Sequence, residues 1–286
     1  SSIVVHGQDS YGVHIASGLD GDLSLNGIVT VIGENSAAIA IDGPVSGDVR
    51  FGASSNIRAL GSGSAGVEVN ADVDGALQFN GAVSATGFRI SDRVAQAVFE
   101  RLADRDIAGG EIAEDSRLSG SAVIIAGSVR DGVFVAGAAS GGATITTAGS
   151  APAFEIRPGA GAGGAITLGE VVYEIPDTDE DADEGDMVTV ERGFGFVNDG
   201  VISANGVFDG VDSMALLVAG RDAGGTIHAV ILAESGLENT GRISASAHDA
   251  HARAVQIGEG AQMATVTNSG TIAATAFLGF DDDGFG

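Results

Sequence analysis

The sequence predicts an all-β fold: a parallel, right-handed β-helix, or β-solenoid, with one short inserted α-helix and one acidic loop. Three observations predict it. Apolar residues alternate in short runs, the runs repeat at a period near 26 residues, and glycine punctuates them. Glycine accounts for 46 of the 286 residues and proline for only 4. That balance marks many tight corners between short strands.

The repeat is clearest in the first third of the chain. "SYGVHIASGLDGDLSL" from Ser10 aligns with "SAAIAIDGPVSGDVRF" from Ser36 and "SAGVEVNADVDGALQF" from Ser64, at steps of 26 and then 28 residues. Counted from the anchors Val13, Ile39 and Val67, apolar residues recur at +2, +6, +10 and +12, and Gly21, Gly47 and Gly75 fall at +8. The first and third copies continue into "NGIVTV" and "NGAVSA", so each repeat reads as three short strands joined by glycine-bearing corners. Period-two alternation sends one side of each strand inward. In the first copy the inward set is Val13, Ile15, Leu19, Leu23, Leu25, Val29 and Val31. One such coil cannot bury its own apolar side; stacking coil on coil supplies the missing wall.

The pattern continues along the chain. "VIIAGSVRDGVFV" from Val123 keeps the same offsets, and "FEIRPGAGAGGAITL" from Phe154 resembles it with two extra residues. Leu216/Val218 and Val255/Ile257 are later anchor pairs. Each is followed by a strand of the form Asn-x-Gly-x-Ile-x-Ala, a frame present at Asn198, Asn239 and Asn268. Within "LENTGRISASA", Ile243 and Ala245 should face inward, Arg242 and Ser244 outward, and Gly241 should permit the corner. The asparagines read as corner residues that bond local backbone or stack in a ladder, rather than as ligands.

Two segments break the pattern. In "SDRVAQAVFERLADRD", residues 91–106, Ser91 is an N-cap and Val94, Val98 and Leu102 recur every four residues. The segment predicts a short amphipathic helix, either lying on the flank of the stack or offered to a partner. The second segment is "IPDTDEDADEGD", residues 175–186. Asp177, Asp179, Asp181 and Asp183 alternate as hard ligands for calcium do at the start of a calcium loop. The sixth position lacks the EF-hand glycine and the twelfth is Val188 instead of glutamate, so an EF-hand is unsupported. A solvated acidic loop is the plainer reading of such a run, with calcium at those four aspartates as the alternative. "DDDG" at 281–284 is a weaker acidic cluster.

Composition bounds the function. There are 39 acidic residues against 13 basic ones, all arginine, for a net charge of −26. That charge repels nucleic-acid backbones and anionic lipid surfaces. With 44% hydrophobic residues and a mean hydropathy of +0.26 the chain is too apolar for disorder. It reads as one domain over residues 1–286. No cysteine is present, which removes disulfides and thiolate chemistry. No run of about 18 apolar residues could span a membrane as a helix. The two ends, "SSIVVHG" and "DDDGFG", read as cuts within a longer protein.

Motifs for chemistry are missing. There is no Gly-x-Ser-x-Gly, no phosphate loop and no His-Glu-x-x-His. His248 and His251, three residues apart in "SAHDAHARA", would need further ligands to hold zinc. Parallel β-helices include polysaccharide lyases and hydrolases, whose carboxylates line up on outward faces, so a carbohydrate-active enzyme is the alternative function. No residue of this sequence is assigned a catalytic role, and the expectation is a non-enzymatic protein.

The Asn-x-Gly-x-Ile-x-Ala strands and the glycine-rich coils resemble passenger domains of type V autotransporters. So does the order of "VSATGFR" (83–89), a short helix, "GG" at 109–110, "SAVIIAGSVRDGVFV", "GSAPAFEI" and the aspartate tract. That order is similar to large sphingomonad, alphaproteobacterial autotransporter-like surface proteins, across most of residues 10–275. The resemblance implies display on the extracellular side of the outer membrane and a C-terminal outer-membrane β-barrel in the same protein, beyond Gly286. It implies a structural, adhesive or surface-assembly role, with neighbouring copies or matrix ligands as partners. No cofactor is implied unless calcium serves the acidic loop.

Overall fold

The computed structural model describes residues 1–87, 119–140, 142–161, 163–176, 187–233 and 235–278. Among them, one 3-10 turn at Ala138–Ser140 is the only helical element; the rest of the regular structure is strand. The helix expected at 91–106 lies outside the described residues.

Three parallel sheets of eight, seven and seven strands carry the architecture. The chain visits them in strict rotation. Ser2–His6 belongs to the first sheet, Tyr11–Ile15 to the second and Leu23–Leu25 to the third; Ile28–Ile32 then returns to the first, directly beside Ser2–His6. Rotation follows from strand length. Most of the strands run only three to five residues, so each soon turns and finds its mate one repeat later.

The register between repeats is the one the alternation predicts. Val13 pairs with Ile39, Ile39 with Val67, Val67 with Val123, Val123 with Phe154, Phe154 with Leu216 and Leu216 with Val255. The +6 anchors Leu19, Val45, Val73, Val129 and Leu168 form their own column of single parallel bridges. Ser10, Ser36 and Ser64, which open the repeats, form a polar column. Ser36 Oγ accepts the Ser10 amide and Ser64 Oγ the Ser36 amide, each at 3.0 Å.

The step from 26 to 28 residues has a local cause. Leu25 and Ile28 are separated by two residues, whereas Phe51 and Asn56 are separated by four, held in a turn by the Ser55 amide donating to the Gly52 carbonyl at 2.8 Å. The second repeat therefore also has its third strand, Asn56–Leu60. A correction concerns "FEIRPGAGAGGAITL". Ile166 and Leu168 do not take the +10 and +12 places. Leu168 sits on Val129 in the +6 column, and Ile166–Leu168 begins a fourth parallel sheet with Val230–Leu232 and Ala261–Gln262. The places beside Val133 and Val135 go to Phe196 and Asn198, after an antiparallel excursion over residues 172–191.

One core runs through the stack, drawing Val31, Ile39, Val45 and Val49 from the separate sheets and bridges of a single repeat. All seven residues expected inside the first copy belong to it or pack against it. Phenylalanines form a file along its axis. Phe51 stacks on Phe79 at 5.1 Å, Phe79 meets Phe154 edge-on at 5.8 Å, and Phe154 meets Phe196 edge-on at 5.1 Å. Ile243 and Ala245 are buried while Arg242 is exposed. Gly241 has an ordinary backbone conformation, so glycine is not required there for the turn. A Cβ at that position would run into the carbonyl oxygen of Gly200 in the repeat below. Close approach of stacked backbones is the reason for glycine.

Phe79 touches aromatic rings on both sides, so Phe79→Ala should lower stability by about 3–5 kcal/mol. Removing the exposed Arg242 side chain should change it by no more than about 0.5 kcal/mol. Urea unfolding of the two variants beside the parent measures the contrast.

Candidate functional site

The acidic tract is mounted on a built platform. Val172–Pro176 pairs antiparallel with Met187–Glu191, in register from Val172↔Glu191 to Pro176↔Met187. Ile175 and Pro176 are thus strand residues rather than loop, which corrects the expected 175–186 boundary. Asp177, Asp179, Asp181 and Asp183 lie outside the described residues.

Aromatic packing and one arginine hold the base of this hairpin. The Tyr173 ring stacks on Phe134 at 4.4 Å and 9°, and Phe194 joins them against Ala136, Val171 and Val197, a small cluster separate from the main core. Phe134 and Val197 belong to the outward side of the third sheet, where water would otherwise be expected; the hairpin covers them. Arg192 spans two repeats, its Nη1 donating to Asp199 Oδ2 and its Nη2 to Glu238 Oε2, both at 2.8 Å. Thr240 Oγ1 also donates to Asp199, at 2.6 Å. The hydrogen bond that Arg192 donates to Asp199 raises the Arg192 pKa further, so the clamp carries full positive charge at any working pH. Nearby, the Gly193 amide donates to Glu170 Oε1 at 2.9 Å.

The three asparagines form the ladder the sequence suggests, and they also bond local backbone. Asn198 Nδ2 donates to Asn239 Oδ1, and Asn239 Nδ2 to Asn268 Oδ1, each at 2.6 Å. Each amide also lies within 3.3–3.4 Å of the carbonyl two residues on: Gly200, Gly241 and Gly270. Asn198 and Asn239 are fully buried. Asn198 and Asn239 close a corner of the core, and Asn268 is the exposed end of the ladder.

His248 and His251 serve different contacts. The His248 ring stacks on Phe277 at 4.8 Å, whereas His251 donates its backbone amide to Asp212 Oδ1 at 2.9 Å. Among the described residues no group of three or more His, Cys, Asp or Glu is arranged to hold a metal ion. None of the described helical structure is long and apolar enough to cross a membrane.

The outward side of the second sheet carries a row that motif reasoning missed. His14 Nε2 meets Asp42 Oδ2 at 2.7 Å, the carboxylate accepting, and Asn70 Nδ2 donates to Asp42 Oδ1 at 2.8 Å. Tyr11 stacks on His14 at 4.2 Å. Glu68 stands in the same outward column as His14, two repeats on. The two carboxylates are driven apart. The Asn70 amide, aided by His14, holds Asp42 below its ordinary range, while burial, reinforced by the Asp42 charge, raises Glu68. Such a split lets one carboxyl keep a proton while its neighbour stays ionised. Farther along, Ser121 Oγ donates to Glu155 at 3.0 Å and Arg157 lies 3.4 Å from it. The signal was in the alignment: His14 and Glu68 occupy offset +1 from their anchors, and Asp42 and Asn70 offset +3.

Because the Glu68 pKa is raised, the folded protein binds that proton more tightly than the unfolded chain does. Its ionised form therefore opposes folding at neutral pH, and the penalty is relieved as pH falls through the carboxylate range. Glu68→Gln should melt higher than the parent at pH 7 and lose that advantage under acid conditions. Asp42, shifted the other way, contributes stability that is lost only as pH falls below the ordinary aspartate range. Melting temperatures of parent, Glu68→Gln and Asp42→Asn across pH measure both signs.

Comparison with known proteins finds no counterpart: no family model, no curated protein and no solved structure matches the chain.

Proposed function

We propose that the chain is a right-handed parallel β-solenoid displayed outside an outer membrane, as the passenger of an autotransporter-like protein, with a non-enzymatic structural or adhesive role. One observation carries the solenoid: the rotation of the chain through three parallel sheets around one shared core. A stack of this kind is stiff along its axis because each repeat is hydrogen-bonded to the next, so it holds side elements away from its base. The paired strands Val172–Pro176 and Met187–Glu191 suit that role, since Arg192 and the Phe134–Tyr173 stack fix the base from which the acidic tract continues. Insertions into a uniform scaffold are where recognition concentrates.

A second reading, a carbohydrate-active β-helix enzyme, draws on the His14–Asp42–Asn70 and Glu68 row. Release of reducing ends from a polysaccharide, abolished in Glu68→Gln, would favour it over the structural role.

Imaging the tagged protein on its native membrane tests display. Extracellular rods projecting from the outer membrane are expected, and a cytoplasmic signal overturns the proposal. The same images separate single stalks, lateral contacts and a lattice. Calcium enters as a counterion for the acidic tract at Asp177, Asp179, Asp181 and Asp183 and for the overall charge of −26. Melting and light-scattering curves should shift between calcium and chelator, and identical curves remove the role of calcium.

A further inference from the structure

The outward side of the first sheet holds a groove across four consecutive strands, and its chemistry differs from that of the rest of the surface. Arg58, Ser84 and Thr146 stand in one outward column; Leu60, Thr86 and Asn205 stand in the next. A bulge follows directly on the lining residue Asn205. The register shifts between Asn205 and Asp209, and the displaced Val207 and Phe208 pack on Ala148 beside the groove. Bulges of this kind re-aim side chains next to binding sites.

The charge is unexpected. The chain carries −26, yet the groove lining contains a guanidinium and no carboxylate. Arg58 Nε donates to Asn56 Oδ1 at 2.9 Å, and among the described residues no acidic side chain pairs with its terminal nitrogens. Arg192 and Arg253, in contrast, each have a carboxylate at 2.8–2.9 Å. An exposed fork whose two terminal nitrogens meet no carboxylate among the described residues suits a carboxylate of a ligand.

The neighbours of Arg58 narrow the ligand class. Three hydroxyls and one amide, carried on three neighbouring strands, offer donors and acceptors along the stack. Leu60 and Ala148 add apolar surface. A peptide joining by strand addition needs a free sheet edge, whereas this groove lies on a face whose backbone is already paired on both sides. The net charge of −26 opposes every polyanion, uronate polymers included, so recognition has to come from the groove itself; a nucleic acid would also stack its bases on aromatic rings, and the lining has none. We infer that the groove binds a carboxylated polysaccharide, with Arg58 on a uronate carboxylate and Ser84, Thr86, Thr146 and Asn205 on the sugar hydroxyls. The assignment deepens the adhesive role and rests on surface display only for access to such polymers.

Calorimetric titration of the purified chain with oligogalacturonate, with its methyl ester and with monomeric galacturonate tests it. Arg58→Gln and Arg242→Gln serve as a matched pair of variants. Both lose one exposed positive charge on the same sheet, but Arg242 lies outside the groove. Oligogalacturonate should bind the parent and Arg242→Gln alike, and about tenfold or more weakly to Arg58→Gln. The methyl ester and the monomer should both bind worse than the acid oligomer. Melting curves confirm that both variants are folded. The proposal is overturned by absence of oligogalacturonate binding, by equal loss in the two variants, or by equal affinity for the methyl ester. An equal affinity for the monomer reduces the groove to a carboxylate site and also overturns it. A failed titration leaves surface display standing, and failed localisation leaves the groove standing.

Discussion

Everything in this molecule depends on strict vertical register: a residue in one repeat lies directly against its equivalent in the next. Parallel pairing imposes this, because the backbone hydrogen bonds that join repeats fix both spacing and phase. The consequence is that side chains are selected by column. Inward apolar columns close on themselves, as from Val13 through to Val255. Inward polar columns persist only where members satisfy one another, as the asparagines and serines do. Where stacked backbones nearly touch, as at Gly200, Gly241 and Gly270, the column must be glycine.

The same rule explains how an acidic chain stays compact. Several aspartates staple one repeat to another by accepting a backbone amide. Asp22 accepts the Asp48 amide, Asp48 the Ala76 amide, Asp72 the Ser128 amide and Asp212 the His251 amide, each at 2.8–2.9 Å. An ionised acceptor strengthens such bonds, so part of the negative charge reinforces the stack it would otherwise strain by repulsion. Arginine as the only cation is consistent with this use. Arg192 bridges Asp199 and Glu238 in successive repeats, which needs a planar fork rather than a single point charge.

Column chemistry was legible in the sequence wherever a column has one kind of member. The anchors at Val13, Ile39 and Val67 and the asparagine ladder could be read from spacing alone. Reading failed where a repeat departs from the common length. Ile166 and Leu168 copy the alternation of the third sheet, but Leu168 stands in the +6 column and Ile166 pairs with Val230 in the fourth sheet, because the hairpin strands Val172–Pro176 and Met187–Glu191 intervene before Phe196. Alternation specifies that a strand has an inside and an outside; it does not specify which sheet the strand joins. The His14–Asp42–Asn70 row escaped motif search for another reason. Its members lie 28 residues apart on outward positions, where no burial restricts residue type.

That contrast locates where specificity must arise in such a fold. Inward positions are constrained by the repeat above and below, so they carry the architecture and little else. Outward positions are free to differ from repeat to repeat, and register then converts distant sequence positions into neighbours. Arg58, Ser84, Thr146 and Ser203 are spread over about half of the chain yet form one column, with Thr146 and Ser203 hydroxyls 3.3 Å apart. No local motif can announce such a surface. Its pattern emerges only after each repeat has been placed in register, when the offsets of outward residues are compared from one repeat to the next.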